Sequence, residues 1–259
     1  MTCDARVHVD VDGAAATITL SRPDRRNAQT PLTWLALQEM GQALPEDVRV
    51  VAVRGVGATF SAGLDRAMFS PEGIPGAPTF RDVARAPAAE GERIIEAFQQ
   101  GFARLSRPDI ISVAAIQGHA IGAGFQLALA CDLRIAADDA QFSMPETSLG
   151  LVPDLGGTRA LRKLVGYSRA LEICATGRAV PAAEAARIGL VTTVVPRAAL
   201  DRAVDDLVNA LLRLPGEALT ETKALLRRAG RCDADEQLAA ERQAQLRLLR
   251  RRASERSGH

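Results

Sequence analysis

Two glycine- and alanine-rich turns carry the chemistry that this chain of 259 residues can offer, Phe60-Ser61-Ala62-Gly63-Leu64-Asp65 and Gly118-His119-Ala120-Ile121-Gly122-Ala123-Gly124-Phe125-Gln126. Each follows a β-branched run that reads as a strand, and the second opens into an apolar helix. Each can therefore present backbone N–H groups that no strand or helix partner consumes. Two such amides facing one point form an oxyanion hole, and the reaction at that point depends on the carboxylates brought near it. The alternative use of the glycines is close packing of a helix on a strand.

The elements that must position these turns are legible from the local pattern. Arg6 to Asp10 and Ala14 to Leu20 read as strands around an Asp12-Gly13 turn. Pro31 to Leu44 reads as a helix, with Thr30 as N-cap and Pro31 as its first residue. Val48 to Val53 is a continuous apolar strand. Phe69 to Pro87 holds Pro71, Gly73, Pro75, Gly76 and Pro78 and is expected to be an irregular loop of the kind that covers sites. Helical spacing resumes from Gly91 to Ser106, and Pro108 ends it. Ile110 to Ile116 is the next strand, Gly122 to Cys131 a helix and Leu133 to Ala136 a strand. Beyond Pro196 the chain becomes Arg-, Ala- and Leu-rich with almost no strand signal. Helices are expected over Leu200 to Leu212, Glu217 to Ala229 and Asp233 to Arg250, which divides the chain into 1–196 and 197–259. Leu238, Leu246 and Leu249 give the last helix an apolar edge suited either to another subunit or to a lid on the same core.

Composition narrows the function. With 47% hydrophobic and 24% charged residues the chain can bury a substantial core, and a formal net charge of +1 argues against nucleic acid or an anionic membrane as partner. Cys3, Cys131, Cys174 and Cys232 are widely separated, lack a Cys-x-x-Cys pair and suit reduced thiols in a cytoplasmic protein. No secretory pattern opens the chain. Ile110 to Cys131 is apolar enough for a membrane reading, but Gln117, His119, Gln126 and the glycines interrupt it. His8, His119 and His259 have no metal-like partners, so no metal is expected.

Gly118-x-x-x-Gly122-x-Gly124, after a strand and before a helix, also matches the dinucleotide pattern of short-chain dehydrogenases. About 110 residues precede it here, and the only tyrosine, Tyr167, is followed four residues later by Leu171 instead of lysine, which argues against that reading. The ordered set of Arg22-Pro23 with Asn27-Ala28, Phe60 to Asp65, Gly118 to Asp132, Pro145-Glu146-x-x-Leu149-Gly150, Gly156-Gly157-Thr158 and Ala182 through Gly189-Leu190-Val191 resembles the enoyl-CoA hydratase/isomerase (crotonase) family over nearly the whole chain.

That resemblance implies an α/β fold, a ClpP/crotonase-like spiral of ββα units with a C-terminal helical trimerisation region. It also implies a homotrimer or a hexamer built from two trimers, and an acyl-CoA thioester as ligand, with coenzyme A entering as part of the substrate and no separate cofactor. By motif matching, the oxyanion donors are the backbone amides of Leu64 and Ala123. Family hydratases use two glutamates, and the matching positions here are Gln126 and Glu146. Glutamine can orient a water but cannot take its proton, so hydration is disfavoured and double-bond isomerisation preferred. Glu146 is the expected base, its carboxyl raised by an apolar pocket, with a first-turn acid held by the helix dipole as the alternative. Asp154 is a second acid or else a cap for the helix near Gly157. Arg26, Ala28, Ala62, Gly63, Asp65, Gly122 and Gln126 are the expected substrate-binding positions. Asp65 also suits fixing its own turn, and Arg22, Arg25 and Arg26 suit phosphates by charge or a solvated surface. A 2-enoyl-CoA hydratase and a non-catalytic acyl-CoA-binding protein remain the alternative functions.

Overall fold

The computed structural model describes residues 6–257; Cys3 and His259 lie outside the described residues. The chain begins with the expected hairpin, β1 (Val7–Asp12) antiparallel to β2 (Ala15–Leu20). Alternation in β2 buries Ala16, Ile18 and Leu20 on one face. Thr30 caps α1 (Pro31–Ala43), accepting from the Thr33 N–H at 3.3 Å, so the helix begins at the expected proline. The apolar run that follows becomes β3 (Val50–Gly55), parallel to β2, and its Val50-Val51-Ala52-Val53 run is buried on both faces.

The segment expected to be irregular, Phe69 to Pro87, contains a helix. In α2 (Phe80–Arg85) the Asp82 N–H donates to Thr79 Oγ1 at 3.1 Å and the Thr79 N–H donates to Asp82 Oδ2 at 2.8 Å. The prolines and glycines that suggested a loop all precede Thr79 or follow Arg85, so they bound this short helix and do not break it. α3 (Ala88–Ala103) starts one turn earlier than its apolar spacing indicated and ends in a 3-10 turn over Arg104–Ser106.

From β4 (Ile111–Ile116) onward the chain repeats one pattern, a strand in a large sheet, a short strand in a small one, then a helix. β4 is followed by β5 (His119–Ile121) and α4 (Ala123–Ala130). β6 (Leu133–Ala137) is followed by β7 (Gln141–Ser143), α5 (Gly157–Val165) and α6 (Tyr167–Thr176). β8 (Val180–Pro181), α7 (Ala182–Arg187) and β9 (Thr193–Val195) complete the core. The large sheet runs β1-β2-β3-β4-β6-β9 and the small one β5-β7-β8. Ser61 pairs with Ala120 of β5 as a single parallel bridge, so the β3 turn of the chain also reaches the small sheet. This is the expected spiral of ββα units. The segment Ile110 to Cys131 resolves into β4, β5 and α4, and among the described residues no helix is long and apolar enough to cross a membrane.

One face of the large sheet packs on the main core, where Trp34 meets Phe98 at a ring-centroid distance of 4.9 Å and Phe125 meets Phe142 at 5.4 Å. The other face is covered by α8 (Leu200–Leu212), whose Leu200 and Val204 lie against Val50, Ala52, Val113, Ala115, Ile135 and Ala137. Arg54 of β3 pairs with Asp201 and Asp205 of α8. The last two helices are α9 (Gly216–Ala229) and α10 (Ala234–Ser257). Lys223 pins α9 to the core: its buried Nζ donates to Arg107 O at 2.6 Å, Ile110 O at 2.7 Å and Asp132 Oδ2 at 2.7 Å. Cys131 is buried, and burial pushes its thiol up to about 12, so it behaves as a small core residue.

Candidate active site

Backbone pairing joins the two turns. The Ser61 N–H donates to His119 O at 2.9 Å and the Ile121 N–H donates to Ser61 O at 3.0 Å. Gln29 flanks the first turn from the other side: its N–H donates to Gly63 O at 2.6 Å, and its O accepts from the Asp65 N–H at 2.8 Å. Leu64, between those two residues, has its N–H turned away from Gln29, as alternation along a parallel bridge requires, and among the described residues nothing accepts from it. Gly63 has φ +86°, and a Cβ there would stand 2.5 Å from Ile121 O and 3.5 Å from Ala123 N. The two turns therefore touch at Gly63 and Ala123, and no side chain fits between them.

Ala123 is the first residue of α4, and its N–H likewise has no acceptor among the described residues. Two unspent N–H groups thus lie on adjoining turns, one of them at the positive end of a helix. Gly122, the N-cap, has φ +50°, a conformation costly for any residue with a Cβ. A Cβ at Gly122 would stand 3.3 Å from Glu146 Oε1, so the same glycine makes room for the carboxyl. The Gly122 N–H donates to Ser143 O at 2.9 Å, and this ties β7, which leads into Pro145-Glu146, to the second turn.

Glu146 is buried, at 9% exposure. Its Oε1 accepts from Gln126 Nε2 at 2.8 Å, while Oε2 is buried without a hydrogen-bond partner. Burial pushes the carboxyl above the ordinary carboxylate range. The Gln126 amide opposes that rise, and the charge of Asp154 adds to it. Asp154 is half-buried, and burial raises its carboxyl as well. It does not cap α5: Gly156 is the N-cap, with no side-chain bond. Instead, the Asp154 carbonyl accepts from Gln99 Nε2 of α3 at 2.6 Å.

Gln126 is 1% exposed, and its amide is tied to the protein at both ends. Its Oε1 accepts from the Leu155 N–H at 2.8 Å and the Gly157 N–H at 3.3 Å, and its Nε2 reaches Glu146. An open groove of about 770 Å³ adjoins Gln126 and Leu155, with Phe102, Leu129 and Arg159 in its walls.

Arg26, Ala28, Ala62, Gly63 and Asp65 come together on one rim. The Ala62 N–H donates to Arg26 O at 2.9 Å, and Arg22 Nη1 donates to Ala28 O at 3.0 Å and pairs with Asp65 Oδ2 at 2.8 Å. Asp65 Oδ1 also accepts from the Ala67 N–H at 3.0 Å, so this carboxylate fixes the turn that follows it. Arg25 and Arg26 are exposed beside that rim. His8 and His119 are exposed, and among the described residues no group of three His, Cys, Asp or Glu is placed to hold a metal ion.

Sequence reasoning missed the polar network that holds the first turn. Ser61 Oγ donates to Asn27 O at 2.8 Å and accepts from Gln29 Nε2 at 3.1 Å, and Trp34 Nε1 donates to Gln29 Oε1 at 2.8 Å. Asn27 Nδ2 donates to Thr59 O at 2.7 Å and to Val56 O at 2.9 Å. Asn27 stands in the Asn27-Ala28 motif; the only sequence signal for Gln29 is a polar residue directly before a helix cap.

The family model described as enoyl-CoA hydratase/isomerase matches residues 10–258. A short-chain-enoyl-CoA hydratase of Clostridium acetobutylicum is 32% identical over 241 residues, covering 92% of this chain and 87% of that protein. Among solved structures, a Thermobifida fusca YX protein assigned as an enoyl-CoA hydratase, in complex with CoA, superposes with a TM-score of 0.92 at 49% identity and covers 96% of this chain and 95% of that one. Its complex with acetoacetyl-CoA gives 0.92 at 50% identity, covering 95% and 96%. With the paired turns, the ββα spiral and this match along nearly its full length, the chain belongs to the enoyl-CoA hydratase/isomerase family.

Proposed function

We propose that this enzyme acts on acyl-CoA thioesters by forming and collapsing a thioester enolate, and that it moves a double bond along the acyl chain in preference to hydrating it. The observation that carries the preference is Gln126. Its carbonyl oxygen is taken by Leu155 and Gly157 and its NH2 faces Glu146, so it has neither a basic atom nor a spare acceptor for a nucleophilic water. The complexes of the Thermobifida relative with CoA and acetoacetyl-CoA support a CoA thioester as the ligand class.

In this reading the thioester oxygen lies against the N–H groups of Leu64 and Ala123. Glu146 Oε2 takes a proton from carbon: the C–H bond breaks, an O–H bond forms on the carboxyl, and the electron pair moves to the thioester oxygen, where the two donors hold it. The enolate collapses when a proton is returned at the far carbon of the allylic system, by Glu146 or by Asp154. Burial serves both halves of the cycle, because a raised carboxyl holds a proton long enough to return it. Arg25 and Arg26 meet the phosphates of CoA, a reading supported by their charge and their exposure beside the Ala62–Gly63 rim. Residues 197–259 make the subunit contacts of a trimer or of paired trimers, supported by the exposed Leu226, Leu238, Leu246 and Leu249 on the last two helices.

A panel of 2-enoyl- and 3-enoyl-CoA thioesters, with products resolved by mass and retention, tests the reading. Isomerisation leaves the mass unchanged and is the expected outcome. Hydration adds one water and is the second reading, favoured by the name of the Clostridium relative; rapid hydration would overturn the preference. Binding of acyl-CoA with no turnover of any member would leave a binding protein.

A further inference from the structure

The hydrogen bonds around Gln126 have a direction. Two backbone N–H groups, from Leu155 and Gly157, converge on Oε1 of the side chain. If the amide were reversed, its NH2 would face those two donors, so the NH2 must point at Glu146. Glu146 Oε1 is therefore an acceptor whenever Gln126 is in place, and it has no room for a proton of its own along that bond. Oε2, buried and without a partner, is the other atom of the carboxyl.

We propose that Gln126 is a positioning residue for proton transfer: locked by Leu155 and Gly157, its amide occupies Glu146 Oε1 and confines the transferable proton of that carboxyl to Oε2. The proposal rests on the reading that Glu146 exchanges protons with the acyl chain. It adds that the geometry of that exchange is set from α4 and from the loop that carries Asp154. The same bond favours the ionised carboxylate, offsetting part of the cost of its burial. The titratable groups whose charges act on or feel Glu146 are Asp154 and the Cys174 thiol, and neither donates to Oε1.

The test is the pH profile of kcat/KM for the parent, Gln126→Met and Gln126→Glu, beside thermal stability. Methionine keeps the length and removes the donor. The acidic limb is then expected to move to higher pH by about one unit, with a roughly tenfold loss of kcat/KM on the limb and KM nearly unchanged. Glutamate keeps an acceptor for Leu155 and Gly157 but places a second carboxyl 2.8 Å from Glu146 Oε1, so the pair must share a proton. It is expected to titrate in two coupled steps with the upper one displaced furthest. Because Gln126→Glu retains the bonds that hold the loop, it carries the test if the methionine variant does not fold. An acidic limb that stays where it is in the folded variants, with only a fall in melting temperature, would overturn the proposal. If the parent turns over no acyl-CoA, the catalytic reading is what fails; the carboxyl resonance of Glu146, assigned by its loss in Glu146→Gln and titrated by carbon-13 NMR, still reports whether Gln126 sets its ionisation.

Discussion

Two buried polar clusters stand at opposite ends of the same short helix, α4, and they are finished differently. At its C-terminal end, Asp132 Oδ2 accepts from the Ser112 N–H and from Lys223 Nζ, and that ammonium also donates to two carbonyls, so all three of its N–H bonds are used. At its N-terminal end, the Ala123 and Leu64 N–H groups have no acceptor among the described residues, and Glu146 Oε2 is buried unpaired. A buried polar group without a partner costs about 1–3 kcal/mol. The cluster that is complete fastens α9 to the core, and the one that is incomplete has the donors and the acid that a reacting thioester would complete.

The contrast makes opposite predictions for the two ends. Glu146→Gln should lower kcat by about 10²- to 10⁴-fold, the usual contribution of a positioned acid–base, while the fold survives, as read by steady-state kinetics beside circular dichroism. Lys223→Met should do the reverse. It leaves the half-buried Asp132 without its cation and two carbonyls without their donor, and should cost about 1–3 kcal/mol in denaturant unfolding, with kcat per folded molecule unchanged. If Lys223→Met lowers kcat in folded protein, or Glu146→Gln leaves it alone, the division between the two ends is broken.

Ala123→Pro sharpens the comparison at a single atom. Proline is tolerated at the first position of a helix, so α4 can keep its start, while the N–H is replaced by a ring carbon beside Gly63 that both removes the donor and crowds the hole. It should reduce kcat about 10²- to 10³-fold, as loss of one oxyanion donor does, with far-UV circular dichroism unchanged. The smallest effect is on stability. Because burial raises the folded carboxyl of Glu146, its favourable contribution is complete below the unfolded carboxylate value of about 4.3 and is lost as pH rises through the folded value. Glu146→Gln, which cannot ionise, should therefore melt slightly above the parent at neutral pH, and the gain should vanish below about pH 4.

Local rules make much of this legible in the sequence. Thr30-Pro31 marks the start of α1, Asp12-Gly13 marks the hairpin, and the glycines of the two turns mark where side chains cannot go. What was hidden depends on contacts distant along the chain. His119–Ile121 read as a turn because three residues carry no periodicity; it is a strand only because β7 pairs beside it and Ser61 bridges to it. The helix after Thr79 was masked by the prolines before it, although Thr79-x-x-Asp82 held the signal of a reciprocal cap. Glu146 could be named as an acid, but its unpaired oxygen could not. Its other oxygen is held by Gln126, and Gln126 is in turn fixed by the backbone N–H groups of Leu155 and Gly157, 29 and 31 residues further on.

The central claim is that this site makes an enolate, and exchange at the α-carbon reads it without regard to which product follows. Acyl-CoA thioesters incubated with the parent in D2O, quenched and weighed by mass spectrometry, should gain deuterium at the α-carbon, and Glu146→Gln should lose that exchange by about 10²-fold or more. No α-exchange with the parent, or exchange at the parent's rate with Glu146→Gln, would contradict the account.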